Sequence, residues 1–127
     1  MAHLGAVLEK VEPGRVEISL PFRPELSQQH GFFHAGVIST IADSAGGYAA
    51  FTLFPADAGV LTVEFKMNLM AAADGERAIA VGEVVRSGRT LTVSRLDAWV
   101  EKGGRRVHCA TGLATLMTLV GRAGVKD

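Results

Sequence analysis

Apolar and polar residues alternate along most of this chain, and one stretch changes to a helical period. Leu4, Ala6 and Leu8 alternate, predicting a first strand that ends at the Glu12-Pro13-Gly14 turn. Val16, Ile18 and Leu20 alternate with Arg15, Glu17 and Ser19, the period-two pattern of a half-buried strand. Pro21 and Pro24 close it. A polar loop runs through Gln29, and the segment from about Ala35 to Leu53 reads as helix.

That helix has two unlike faces. Val37, Ile41, Ala45 and Tyr48 follow helical spacing and predict a stripe facing the core. Gly36, Thr40, Asp43, Gly47 and Ala50 form a second face of small residues around one carboxylate. Two adjacent glycines in mid-helix cost roughly 1 kcal/mol each relative to alanine, so something requires a close approach there. Beyond the helix, Val60 to Leu69, Arg77 to Val85, Leu91 to Val100 and Arg106 to Leu119 read as strands. Turn signals at Ala73-Asp74-Gly75, Ser87-Gly88-Arg89 and Lys102-Gly103-Gly104 separate them. Two short strands, one long helix and a four-strand antiparallel meander make an α+β pattern, solved most simply by a sheet curled around the helix.

Composition narrows the function without assigning it. The chain has 127 residues, 48% of them hydrophobic and 20% charged, which suits one globular domain. Zero net charge and the lack of a basic block argue against nucleic acid as a partner. A membrane partner is not expected, since the most apolar window, Ala35 to Phe54, contains Asp43 and two glycines. The first residues lack the layout of a signal peptide, and the expected location is the cytoplasm. Cys109 is a lone cysteine in a strand pattern, read as a small buried hydrophobe.

The densest polar cluster, Gln28 to Gly36, leads into the helix. A helix start offers free N–H groups and a partial positive charge, suited to polarising a carbonyl oxygen, and Ala35 and Gly36 would present them with little side chain in the way. His34 and Gln28 fit either such an oxyanion site or an ordinary helix cap and a solvated side chain. Asp43 fits either a catalytic carboxylate or a buried polar network. Nine positions separate His34 from Asp43, about 900° of turn and ~13 Å of rise, so the two project from opposite sides. If both act in one reaction, a second copy of the chain must bring them together, which predicts a symmetric dimer. Thr62, in the strand after the helix, lies where it would hold water beside Asp43, though threonine also favours strands for its own sake. The turn Arg86-Ser87-Gly88-Arg89-Thr90 offers two guanidinium groups and backbone donors for a phosphate, or is simply solvated. His30 and His34 are the only close histidine pair, without ligand partners at metal-binding spacing, so neither a metal nor a cofactor is expected.

Together these residues resemble the hotdog-fold thioesterases, specifically the PaaI-like group among the relatives of 4-hydroxybenzoyl-CoA thioesterase. The motif is Gln28-x-x-Gly31-x-x-His34-Ala35-Gly36 with Asp43 nine residues past His34. Val60 to Asn68 and Val84 to Leu91 add two further matching segments, and the likeness covers about residues 4 to 120. It implies a hotdog fold, an antiparallel sheet wrapped around one long central helix, as a single domain over 4–120 with a tail at 121–127. It implies an acyl-CoA thioesterase acting on an aryl- or medium-chain acyl group, as a homodimer pairing into a tetramer. The Ala35 N–H, with that of Gly36, would polarise the thioester carbonyl, and Gln28 would orient that carbonyl or the water. Asp43 of the neighbouring subunit would be general base or nucleophile, and Thr62 would assist it. His34 would shape the loop or contact the thioester, Phe33 would line the substrate site, and Arg86, Ser87, Gly88, Arg89 and Thr90 would lie along CoA. The chain departs from the family in having Ala35 where a glycine is usual, and Gly47 where some relatives carry a hydroxyl. Two other functions suit the same fold: an enoyl-CoA hydratase, which the absence of a histidine between Asp43 and His108 argues against, and a non-catalytic acyl-CoA sensor, which would have no need of Asp43.

Overall fold

The computed structural model describes residues 1–120; the expected tail at 121–127 lies outside the described residues. A 3-10 turn at Ala2–Leu4 precedes strands β1 (Val7–Glu12) and β2 (Arg15–Pro21). A second 3-10 turn at Pro24–Leu26 leads towards helix α1 (Ala35–Phe51). Four long strands complete the chain: β3 (Ala58–Leu69), β4 (Arg77–Ser87), β5 (Leu91–Lys102) and β6 (Arg105–Val120). All six strands join one antiparallel sheet in the order β1-β2-β4-β5-β6-β3, with α1 packed on one face, the hotdog arrangement.

The alternation in β2 works as read: Val16, Ile18 and Leu20 are buried against the helix. The expected alternation at Leu4, Ala6 and Leu8 does not form one strand. Leu4 belongs to the 3-10 turn, and Gly5, at φ 82°, redirects the chain before β1 begins. The four-strand meander is also corrected. β4, β5 and β6 do form a meander, but β3 crosses to the far side and pairs with β6, while β4 pairs with β2. Between β5 and β6 only Gly103 and Gly104 intervene, at φ 58° and 79°. Two successive left-handed residues give the tight hairpin whose twist matches the strands.

The core stripe of α1 is rotated from the one expected. Ile38, Ile41, Ala42, Ala45, Ala49 and Ala50 are fully buried side chains, while Val37 and Tyr48 stay half-buried at the flank. The sheet comes so close that alanine and glycine, rather than larger residues, fill the contact. A Cβ on Gly82 of β4 would overlap the Ala45 carbonyl and the Gly46 nitrogen, and one on Gly46 would overlap Leu96. Ser94 Oγ donates to the Gly46 carbonyl across the same contact, 3.0 Å. Gly47 differs: a Cβ there would meet Leu116 at an ordinary 3.5 Å. The close approach therefore accounts for Gly46 and leaves Gly47 to the surface around Asp43.

Candidate active site

The helix start is built by the loop before it. His34 is the N-cap, and its Nδ1 accepts the Gly36 N–H at 2.8 Å. The His34 carbonyl takes the Val37 and Ile38 N–H groups. Ala35, at the first helical position, is thus left with the free N–H of this turn. The Gly36 N–H, expected to share the oxyanion role, is engaged by the His34 imidazole in this structure. With Nδ1 accepting, the neutral ring carries its proton on Nε2, a second donor at the same lip.

Gln28 folds onto its own loop. Its Oε1 accepts the His30 N–H at 2.6 Å and the Phe32 N–H at 3.1 Å. That leaves the side-chain NH2, and so a donor, to face a substrate. Phe33 is buried edge-on against Phe22 with ring centroids 5.1 Å apart, and its N–H donates to the Ala73 carbonyl. These residues form one wall of a cleft of about 380 Å3. Ile38, Leu69, the strap Ala71–Ala72–Ala73, Cys109 and Ala110 supply the rest. The strap is tied down by Ala71 N–H donating to the Cys109 carbonyl. Sequence reasoning missed this second wall, since alanines in a loop carry no chemical signal. Cys109 is buried as expected, its thiol donating to the Ala98 carbonyl at 3.5 Å, and burial pushes the thiol pKa up.

Asp43 sits two turns further along α1, half-buried, and Thr62 Oγ1 donates to its Oδ1 at 3.0 Å. Immediately after Thr62 the strand bulges at Val63, where the register with β6 shifts before Glu64. Asp43, Thr62, Gly47 and Tyr48 line a separate pocket of about 350 Å3, which shares no lining residue with the Ala35 cleft. Along the helix the carboxylate lies roughly 12 Å from the Ala35 amide.

The Arg86 to Thr90 turn stands at the Asp43 end. Gly88 N–H donates to the Leu91 carbonyl, and the Thr90 carbonyl accepts from Thr118, which pairs with Val60 beside the Asp43 pocket. Ala110, in the Ala35 cleft, is eight residues away along β6, roughly 26 Å. Arg86, Ser87, Arg89 and Thr90 are exposed, and neither arginine makes an ion pair among the described residues. The candidate residues thus fall into two separate groups: Gln28, Phe33, His34 and Ala35 at one pocket, and Asp43 with Thr62 at the other, near the arginine turn.

The profile of the Thioesterase superfamily matches residues 30–107. The proofreading thioesterase EntH of Klebsiella pneumoniae is 27% identical over 122 residues, covering 91% of this chain and 85% of its own. A thioesterase family protein from Silicibacter pomeroyi superposes with a TM-score of 0.94 at 52% identity, over 95% of this chain and 89% of that one. A Bacillus halodurans protein solved with CoA has the same fold, with a TM-score of 0.80 at 23% identity, over 91% of this chain and 75% of that one.

Proposed function

The chain belongs to the Thioesterase superfamily and is a thioester hydrolase; from that premise we propose that it cleaves an aryl- or medium-chain acyl-CoA at sites shared between two protomers. One observation carries the reading: a free amide beside an apolar cleft at one end of the helix, and a hydroxyl-supported carboxylate in a separate pocket ~12 Å along it. A twofold partner supplies the missing half of each. Among the described residues β3 hydrogen-bonds only to β6, which leaves its other edge open, and its Leu61, Val63 and Phe65 side chains are exposed, Leu61 in the Asp43 pocket. An open apolar edge of this length invites pairing with another strand.

In the reaction, the Ala35 N–H of one protomer holds the carbonyl oxygen, with the free donors of His34 and Gln28 beside it. Asp43 of the other takes a proton from water that adds to the carbonyl carbon, or attacks that carbon itself to give an anhydride that water then opens. The C–S bond breaks, and CoA leaves as thiolate and collects a proton. CoA as the carrier is supported by the exposed arginines of the Arg86 to Thr90 turn and by the fold neighbour solved with CoA.

Ala35→Pro is a clean test. Proline suits the first helical position and removes only the free N–H, and His34 already has the extended backbone (φ −64°, ψ 137°) that a following proline requires. Ala35→Pro is expected to lower kcat by about 10²–10³ with the fold intact. Asp43→Asn is expected to abolish thiol release from acyl-CoA. Mixing the two inactive proteins and allowing subunit exchange should restore about a quarter of wild-type activity, because each mixed dimer keeps one complete site. No recovery on mixing, with mixed dimers demonstrated by mass, sinks the shared site.

A further inference from the structure

The cleft beside Ala35 has walls of one chemical kind. Beyond the lip formed by Gln28 and His34, it is lined by Phe32, Phe33, Ile38, Leu69, Cys109 and alanines, those of the strap among them. The single polar side-chain atom among them, the Cys109 sulfur, already donates to the Ala98 carbonyl. Two backbone groups of the strap are engaged as well, the Ala71 N–H on the Cys109 carbonyl and the Ala73 carbonyl on the Phe33 N–H. No carboxylate, lysine or arginine of the same chain lines it. A group entering past the Ala35 amide leaves water and meets hydrocarbon.

Resting on the thioesterase reading, we propose that this cleft receives the acyl group and selects acyl chains without a hydroxyl or carboxylate at the far end. The carbonyl oxygen stays at the Ala35 N–H, and the carbons beyond it run between Ile38 and Leu69 towards Cys109. An apolar chain gains burial along that path. A terminal hydroxyl or carboxylate loses its hydration and finds no side chain to replace it. The strap sets the width: three alanines leave space that one larger residue would close. Ala72 lines the cleft yet is exposed and stands outside the core, so a larger side chain there narrows the cleft without disturbing the core.

Four substrates decide the matter: hexanoyl-CoA against adipoyl-CoA, and phenylacetyl-CoA against 4-hydroxyphenylacetyl-CoA, each followed by thiol release. The expected kcat/KM falls about 100-fold or more for the ω-carboxylate and at least about tenfold for the hydroxyl. Equal turnover of all four overturns the inference and leaves the thioesterase reading standing; no turnover of any overturns both. Ala72→Leu is expected to lower the ratio of kcat/KM for hexanoyl-CoA over acetyl-CoA by about tenfold, and Cys109→Ala, which deepens the floor, to raise it. Ratios unchanged in both variants, with melting temperatures near wild type, would place the acyl group elsewhere.

Discussion

Thr62 donates one hydrogen bond to Asp43, the carboxylate proposed above to activate water or attack the thioester. Thr62→Val keeps the shape and removes the donor. A hydrogen bond to a charged group is worth about 1.5–3 kcal/mol, so kcat is expected to drop by about 10- to 100-fold, with Thr62→Ser restoring most of it. A stopped assay of thiol release with a parallel thermal melt separates lost chemistry from lost folding. The sequence made Asp43 and Thr62 visible as a pair only through their order and the family motif. Their contact joins a helix and a strand 19 residues apart, and nothing in the run Leu61-Thr62-Val63-Glu64 announces it or the bulge beside it. The occupied Gly36 N–H was hidden for a similar reason: His34 reads equally well as cap or as catalyst until its Nδ1 is seen to accept.

The helix and its neighbouring strands meet through glycine. Gly82→Ala would drive a methyl into the Ala45–Gly46 backbone, which no rotamer change relieves, and is expected to destabilise by about 3 kcal/mol. Gly47→Ala faces an ordinary contact with Leu116 and gains helix propensity, so it is expected to stabilise by up to about 1 kcal/mol. Urea titration of the two variants tests the contrast, and similar losses in both would remove the distinction drawn between adjacent glycines. Strand positions and the extent of α1 were legible because period-two and helical spacing survive in the sequence. Helical spacing places Val37 and Tyr48 in the buried stripe, yet both stay half-buried at its flank. Where a sheet lies this close, the most buried residues are small ones such as Ala42 and Ala49.

Across the whole molecule, local turns were readable and long-range pairing was not. The Gly103-Gly104 hairpin follows from two residues, whereas the placement of β3 beside β6 rests on contacts that no neighbouring residues encode. That placement gives β3 its free edge, and with it the partner surface proposed above. Phe65→Glu puts a charge on the edge twice per dimer, at about 1.5–2 kcal/mol for each lost apolar contact. The dimer dissociation constant is expected to rise by about 100-fold or more, with activity falling in step at low protein concentration. Sedimentation velocity across a dilution series measures the first and thiol release the second. A variant that becomes monomeric yet keeps full turnover would show that one chain suffices.

The same crossing governs how the chain reaches its native state. β3 and β6 pair residues 41 to 62 positions apart, from Leu69 with Ala110 to Ala58 with Val120. During synthesis, α1 and β3 emerge while the strand that secures β3 does not yet exist. Closing loops of that length is entropically expensive, and folds dominated by such distant pairings acquire structure in milliseconds to seconds rather than microseconds. Until β6 leaves the ribosome, the apolar edge of β3 has no neighbour, so the nascent protein passes through an interval of exposed strand in which aggregation competes with folding.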